Sequence, residues 1–542
     1  MNKKPMLWVA LAASLLTSCG TVKNLDTAPT TFSATTTSYT EDQLKGWPHQ
    51  SFAQGFPGMN LNGAYALLKG LKSTSVTVGV VDSGVDINHP DLKSIIWTNP
   101  KEIANNGIDD DKNGYIDDIH GWNFLGNIEE ANTEMTRVLR DPKSPDYQRA
   151  KEAYDKEFEE ATKGKAGYER LLQVSSMLDE EMQKLVGKEV YTAQDIEKAT
   201  EGKELSERTT EMAAFMKDLL GEGTTSAEFK KELPEAIEYF ENKLKYSLNI
   251  NFDPRKEILK DDENDFSKKN YGNNNVIGPK SKGATHGTHV AGIIAAVRNN
   301  GIGMDGVADN VRIMAVRAVP DGDEYDKDIA LAFRYAVDNG AKVINTSFGK
   351  GFSPHKEWVY DAIKYAASKD VLIVNAAGND SDDIDVVDTY PNDDVKGAEI
   401  ADNFLTVGAL NFEYGKKLVA SFSNYGKRNV DVFAPGVKIY STTPDNQYEF
   451  LAGTSMASPE VAGLAALLRS YFPTLTAAEV KQIIMQSGMK VNMNVYMGKP
   501  DAEGNRKEKN FQELSTTGTV VNARNAVILA AKKAKVKLAK TK

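Results

Sequence analysis

Four short stretches carry the residue types that acyl transfer uses. Ser455 lies in Gly453-Thr-Ser-Met-Ala-Ser-Pro459, ahead of a helical run from Val461 to Arg469. That places it at or just before a helix N-terminus, where unpaired N–H groups and the positive dipole end gather. A serine there is either an ordinary N-cap or a nucleophile with stabilisation for developing negative charge close by. Asp82 ends the β-branched run Ser75–Asp82 and is followed by Ser83-Gly84. It reads either as an Asx-turn or as a carboxylate at a strand tip, where open α/β sheets do their chemistry. His286 and His289 stand three apart in Gly283-Ala-Thr-His-Gly-Thr-His289. A zinc helix needs its histidines at i and i+4 with a glutamate between them. The remaining histidines, His49, His89, His120 and His355, are scattered. The stretch reads instead as a helix presenting His286, with His289 packed inside, and Gly287, Ala291 and Gly292 allow it to lie close to a sheet. Asn379 follows the strand-like run from Val371 and is either a turn residue or a neutral amide donor for an oxyanion. A nucleophile, a base, a group to orient the base and an oxyanion donor together make up an acyl-transfer set.

The elements that must position these groups alternate. Val311–Val319, Ala341–Gly349, Val371–Asn379 and Phe404–Leu410 read as strands, and Leu61–Leu68, Lys327–Asn339 and Trp358–Lys369 as helices. The pattern predicts an α/β fold, a mostly parallel sheet with helices on both faces. Residues 128–265 break it with Glu- and Lys-rich, glycine-poor sequence of helical period, including the stripe Leu171, Val174, Leu178, Met182, Leu185. This predicts an inserted all-helical subdomain. Within it Thr225-Ser-Ala-Glu228 forms a capping box, and Pro234 is expected to break or restart the following helix.

The N-terminus carries Lys3 and Lys4 and then the apolar stretch Met6–Leu16, a signal-peptide pattern over residues 1–18. Leu16-Thr-Ser-Cys19 resembles a bacterial lipobox, which implies lipidation of Cys19 and a membrane-anchored location in the cell envelope. Residues 19–43, rich in Thr and Ser, read as a flexible tether, and 531–542 as a basic tail. Cys19 is the only cysteine, which excludes a disulfide within the chain. A net charge of -11 and a pI near 5.3 argue against nucleic acid as the main partner. Oligomeric state leaves no mark in the sequence.

The loop Asn105–Asp118 places oxygen side chains at every second position around a glycine, which suits a hard cation. Asp109, Asp111 and Asn113 are the expected side-chain ligands of a structural Ca2+, with the carbonyl of Tyr115 and with Asp117 or Asp118 completing the set. It differs from an EF-hand in having His120 at the twelfth position.

The blocks Val80–Val85, His286–Gly292, Ala376–Asn379 and Gly453–Pro459, in that order, resemble those of the subtilisin-like serine proteases. The likeness covers about 44–127 and 266–530, the expected catalytic domain, and includes Gly306–Ala308, Ala434–Gly436 and Gly518–Asn522. The resemblance implies that Ser455 is the nucleophile, His286 the general base and then acid, Asp82 the holder of the imidazole, and Asn379 an oxyanion donor. It also implies that Ser347, Phe348 and Gly349 receive the substrate backbone as an added strand. The function it implies is a serine endopeptidase acting on proteins or peptides, with a catalytically silent envelope scaffold as the second reading. The chain departs from the family in the long interval between Asp82 and His286, and in having Lys350 where glycine is expected. Asp380, Asp382, Asp383 and Asp385 also crowd after Asn379. The usual propeptide is not legible before the first strand, so the insertion is expected to cover the cleft or to assist folding.

Overall fold

The computed structural model describes residues 24–29, 39–221, 223–501 and 503–539. The expected leader 1–18, Cys19 and most of the Thr/Ser-rich stretch lie outside them. The strands are β1 (Val76–Asp82), β2 (Gly121–Asn123), β3 (Val311–Arg317), β4 (Val343–Thr346), β5 (Leu372–Ala376), β6 (Asp394–Val395), β7 (Ala398–Glu399), β8 (Phe404–Leu410), β9 (Val432–Pro435), β10 (Ile439–Thr443), β11 (Gln447–Leu451), β12 (Met489–Lys490), β13 (Asn494–Met497), β14 (Lys507–Asn510) and β15 (Thr519–Val520). Three pairs, β6–β7, β10–β11 and β13–β14, are separate hairpins.

The rest form a nine-stranded sheet in the order β12-β15-β9-β8-β5-β4-β1-β3-β2. Only β12 and β15 pair antiparallel in it. Its central strands are buried nearly throughout, which their Val- and Ile-rich runs require once helices cover both faces. β1 has β3 on one side and β4 on the other. The chain order therefore reverses at β1, and the crevice beyond its C-terminal end is the topological switch point of the sheet.

The helices are α1 (Glu41–Gly46), α2 (Leu61–Leu68), α3 (Glu134–Val138), α4 (Tyr147–Val186), α5 (Ala193–Thr200), α6 (Glu207–Leu220), α7 (Ser226–Asn242), α8 (Thr285–Ala295), α9 (Asp326–Asp338), α10 (Lys356–Ser368), α11 (Thr454–Tyr471), α12 (Ala477–Ser487) and α13 (Ala523–Ala534). On one face of the sheet α2, α8, α11, α12 and α13 bury the larger core, including Leu67, Val290, Leu464, Ile484 and Val527. On the other face α9 and α10 cover Val81, Ile344 and Ile373 with Phe333, Tyr360 and Ile363.

The helices α3–α7 fall in the stretch expected as an insertion and pack around two small cores, one of Met182, Tyr191 and Met216 and one of Met135, Leu139 and Leu248 with Phe352. The Thr225–Glu228 capping box is formed. Pro234, expected to interrupt, lies inside an unbroken α7. It removes one backbone donor, but α7 is held along its length against α4 by contacts such as Phe240 over Gly164. Packing there outweighs one missing hydrogen bond.

At the N-terminus the tether reading does not extend to residues 24–29. Asn60 Nδ2 and Arg524 Nη1 donate to the Asp26 carboxylate at 2.6 and 2.7 Å, and Asp26 N donates to Asn525 Oδ1 at 2.7 Å. One buried-edge carboxylate facing several donors is enough to pin a polar segment, which composition alone does not reveal. Thr40 then caps α1 with a full capping box, so regular structure is present slightly ahead of residue 44.

Candidate active site

Three neighbouring strands bring the predicted groups to one rim. β1 ends at Asp82, β4 ends just before Ser347, and β5 ends just before the turn holding Asn379. Register sets Val81 opposite Thr346, and Thr346 opposite Asn375, so the three tips are level. Asp82 is 1% exposed, and its Oδ1 lies 2.7 Å from His286 Nδ1. The Ser83 amide donates to the same oxygen at 2.7 Å.

His286 sits in the first turn of α8 and can approach so closely because Gly287 follows it. A Cβ at residue 287 would stand 2.1 Å from the Gly84 carbonyl oxygen and 3.1 Å from Asp82 Cβ. Gly287→Ala is therefore expected to push α8 off the strand tip and open the His286–Asp82 contact. Displacing a catalytic group by about 1 Å can cost about a hundredfold in turnover. We expect a loss of at least that order in kcat/KM with a native far-UV spectrum; turnover equal to wild type would refute this packing argument.

Burial alone would lower the His286 pKa, but the charge of Asp82 and its hydrogen bond outweigh it and hold the imidazole above its ordinary 6.5. The side chain is 38% exposed, so part of the ring faces the open crevice. His289 is the packed partner expected. Its Nε2 lies 3.1 Å from the carbonyl oxygens of both Ile439 and Glu449, and burial lowers its pKa to about 4.

Ser455 is in the first turn of α11, where its own N–H has no intrahelical acceptor. Its hydroxyl donates to the Ser347 carbonyl at 3.0 Å, and Ser347 Oγ donates back to the Ser455 carbonyl at 2.9 Å. Thr454 N and Oγ1 both donate to Asn379 Oδ1, at 2.9 and 3.0 Å, which fixes the amide with its nitrogen turned the other way. A Cβ built on Gly453 would be 3.5 Å from Ser455 N and 3.6 Å from Asn379 Nδ2, so two N–H donors flank the same small space beside Ser455.

Sequence reasoning missed the groups that hold this turn. Gly378, at φ +102°, donates to Thr454 Oγ1 at 3.0 Å. The buried Asn424 accepts from the amides of Asp380 and Asp382 at 2.9 Å each and donates to the Ala377 carbonyl at 2.9 Å. A lone asparagine in a loop gives no signal of that role. Of the predicted substrate segment, Phe348 packs partly against the core and Gly349 is exposed.

The acidic loop is ordered by its own side chains. Asp109 Oδ1 and Oδ2 accept from the amides of Asn113 and Gly114 at 3.0 and 2.8 Å, and Asn113 Oδ1 accepts from Tyr115 N at 2.8 Å. Asp117 accepts from the amides of Asn106 and Gly107 at 3.1 and 2.9 Å. The structure brings Asp109 and Asp111 together but not Asp118. Asp118 is fully buried, with Asn99 Nδ2, Asn113 Nδ2 and the Tyr335 hydroxyl donating to it at 2.8, 3.0 and 2.6 Å. The third carboxylate beside Asp109 and Asp111 is Glu102, and ligand oxygens of the three lie within 4.8 Å of one another. Glu102 precedes the periodic part of the loop, so spacing could not have found it.

The structure pairs Asp82 with His286 and sets Ser455 beside Ser347 and Asn379 near the C-terminal ends of parallel strands, the residue types that an acyl-transfer site uses. The chain belongs to the subtilase family, a family of serine-type endopeptidases, whose model matches residues 73–514. It is 45% identical over 208 residues to the thermophilic serine proteinase of Bacillus sp. (strain AK1), a match covering 38% of this chain and 47% of that one. It is 38% identical over 220 residues to subtilisin DY of Bacillus licheniformis, covering 40% of this chain and 75% of that one. A solved protease structure from Pseudoalteromonas arctica PAMC 21717 aligns over 89% of this chain and 97% of that one, with a TM-score of 0.45 at 21% identity. The chain thus spans about half the length of the first of these relatives.

Proposed function

We propose that the protein is a serine endopeptidase that cleaves protein or peptide substrates through an acyl-enzyme, with Ser455 as nucleophile and His286 and Asp82 completing the triad. The observation that carries this reading is the 2.7 Å contact of His286 Nδ1 with the buried Asp82, at the rim where Ser455 opens α11. Asp82 holds the Nδ1–H tautomer, which leaves Nε2 to take a proton. In this reading the Ser455 hydroxyl, which donates to the Ser347 carbonyl at 3.0 Å, leaves that acceptor for His286 Nε2 when substrate is bound. As Ser455 Oγ attacks the scissile carbonyl, its proton passes to His286 Nε2. The oxyanion falls between Ser455 N–H and Asn379 Nδ2, and both are preorganised by their neighbours. His286 then gives the proton to the leaving amine, and water repeats the cycle to release the acid. Ser347–Gly349, buried at Ser347 and exposed at Gly349, is the backbone edge on which an extended peptide adds as a strand.

A fluorophosphonate probe tests this reading. It should label the intact chain, with the adduct mapping to Ser455, and a peptide-library digest should yield defined cleavage sites. A folded protein that neither labels nor cuts would favour the scaffold reading. In the same proposal Cys19 carries a lipid that holds the enzyme at a bacterial membrane within the cell envelope. Metabolic labelling with a fatty-acid analogue, lost in Cys19→Ala, checks it.

The acidic loop fits a structural Ca2+ held by Glu102, Asp109 and Asp111. Three carboxylates so close repel one another without a cation. Glu102 Oε2 is buried without a hydrogen-bond partner among the described residues, while Oε1 accepts from the amides of Asp110 and Asp111 at 2.9 and 3.1 Å. A bound hard cation would answer that oxygen and tie residues 102–118 beneath β2. Calcium at about a hundred times its Kd stabilises the folded state by about 2.7 kcal/mol. Chelation is therefore expected to lower Tm by several degrees, and Glu102→Gln to lower it similarly and to abolish the response to chelator. An identical chelator effect in Glu102→Gln would move the ion elsewhere.

A further inference from the structure

The three residues that follow the predicted substrate edge are gripped by the helical insertion. Lys350 is buried, and its Nζ donates to Glu134 Oε2 of α3 at 2.6 Å, to Asp326 Oδ1 at 2.8 Å and to the Glu324 carbonyl at 2.8 Å. Arg149 Nη1 of α4 donates to the Gly351 carbonyl at 3.1 Å, and its guanidinium lies 3.9 Å from the centre of the Phe352 ring. Phe352 is itself part of the insertion's small core with Met135, Val138 and Leu139.

The grip extends to Tyr390. Lys350 N donates to the Tyr390 carbonyl and Tyr390 N to the Lys350 carbonyl, both at 2.9 Å. Arg137 of α3 donates to the carbonyls of Asp323 and Glu324 at 2.9 Å each, and to Glu134 Oε2 at 2.6 Å. Burial alone would raise the Glu134 carboxyl, but Arg137 and Lys350 outweigh it and hold it below the usual range. The far end of the insertion is fastened to α9, which follows Asp323 and Glu324: Arg255 makes a bidentate pair with Asp328 at 2.8 Å. Long flexible side chains are held here in one geometry by several buried partners each, which a merely solvated charge run does not do.

We infer that Glu134 and Lys350 are positioning residues of the cleft: their ion pair fixes the edge Ser347–Gly349 against Tyr390, so that the insertion sets the affinity for extended peptides. The inference rests on the peptidase reading for its substrate, not for its geometry. It explains why a lysine stands where the family resemblance leads one to expect glycine: the side chain is used to reach an element inserted between Asp82 and His286. A peptide reaching several residues along the edge depends on its alignment, whereas a single-residue ester needs only Ser455, His286 and the oxyanion donors.

The test compares wild type with Lys350→Met, Glu134→Gln and the double variant, per site titrated by fluorophosphonate. For a tetrapeptide amide, kcat/KM should fall at least about tenfold, carried by KM, while for a single-residue ester it should change by less than about threefold. Lys350→Arg, which keeps the charge, should recover part of the loss. The double variant, which still leaves Asp326 without Lys350 and Arg137 without Glu134, should not recover the KM for the tetrapeptide. Parallel losses for amide and ester, or no loss for either, would overturn the inference. Binding of the uncleaved peptide to Ser455→Ala, with and without Lys350→Met, reads the same effect without turnover: weakening by about tenfold supports the clamp, and equal affinity refutes it. An unlabelled wild type would instead count against the peptidase reading.

Discussion

Ser455→Ala is expected to remove peptide cleavage almost completely, by a factor on the order of 10⁶ in kcat, the scale known for loss of the nucleophile in subtilisin itself. What remains would come from the oxyanion donors and from substrate binding, neither of which the substitution touches. The fold should survive. The hydroxyl makes one hydrogen bond, to the Ser347 carbonyl, and loss of one such bond costs about 1 kcal/mol. A methyl group fits the half-buried position at the start of α11 without new contacts. His286→Ala should fall as far, and the double variant no further, because nucleophile and base act as one unit. Steady-state turnover of a defined peptide, with thermal unfolding on the same samples, separates these outcomes. Ser455→Ala cutting at an appreciable fraction of the wild-type rate would place the chemistry at another residue.

The places of the candidate groups were legible in the sequence because they sit where local patterns end, while their roles came from the family resemblance. Asp82, Ser347 and Asn379 each follow a β-branched run, and the period-two to period-3.6 alternation that marks strands and helices also marks their tips. The observed strands are shorter than the runs suggested: β4 stops at Thr346 and β5 at Ala376, because the following residues turn away to make the rim. What stayed hidden depends on contacts between segments distant in the chain. Asn424 braces the turn at Gly378 from the far side of β8. Asp26 finds α13 across nearly the whole sequence. Glu102 joins Asp109 and Asp111 from outside their repeat. Pro234 shows the opposite failure, a strong local signal overridden by packing on α4. Lys350 is the most informative case. Its departure from expectation was visible in the sequence, but its meaning required Glu134, a residue of the insertion, to be placed beside it.

Asp82→Asn is expected to lower kcat by an order of 10⁴ while leaving Ser455 in place, a scale established for the orienting aspartate of serine proteases. The carboxylate accepts from His286 Nδ1 at 2.7 Å in a site that is 1% exposed. An amide there either presents its oxygen, too weak an acceptor to stabilise the imidazolium, or presents its N–H and forces the other tautomer, with the proton on Nε2. In that second case His286 can no longer take the Ser455 proton. The same contact predicts the pH profile. Activity requires a neutral imidazole, and Asp82 holds the His286 pKa above 6.5 against the lowering effect of burial. In wild type, kcat/KM should therefore fall as pH drops through a value above 6.5. In Asp82→Asn burial is left unopposed, so the residual activity should persist to lower pH. Stability moves in the opposite sense. A base whose pKa is raised on folding contributes stability that is complete below its unfolded pKa and is lost as pH rises through the folded one. The stability lost in Asp82→Asn should thus be largest in mild acid and shrink toward alkaline pH. An acid limb at the same pH in both proteins would mean that Asp82 does not govern the charge of His286.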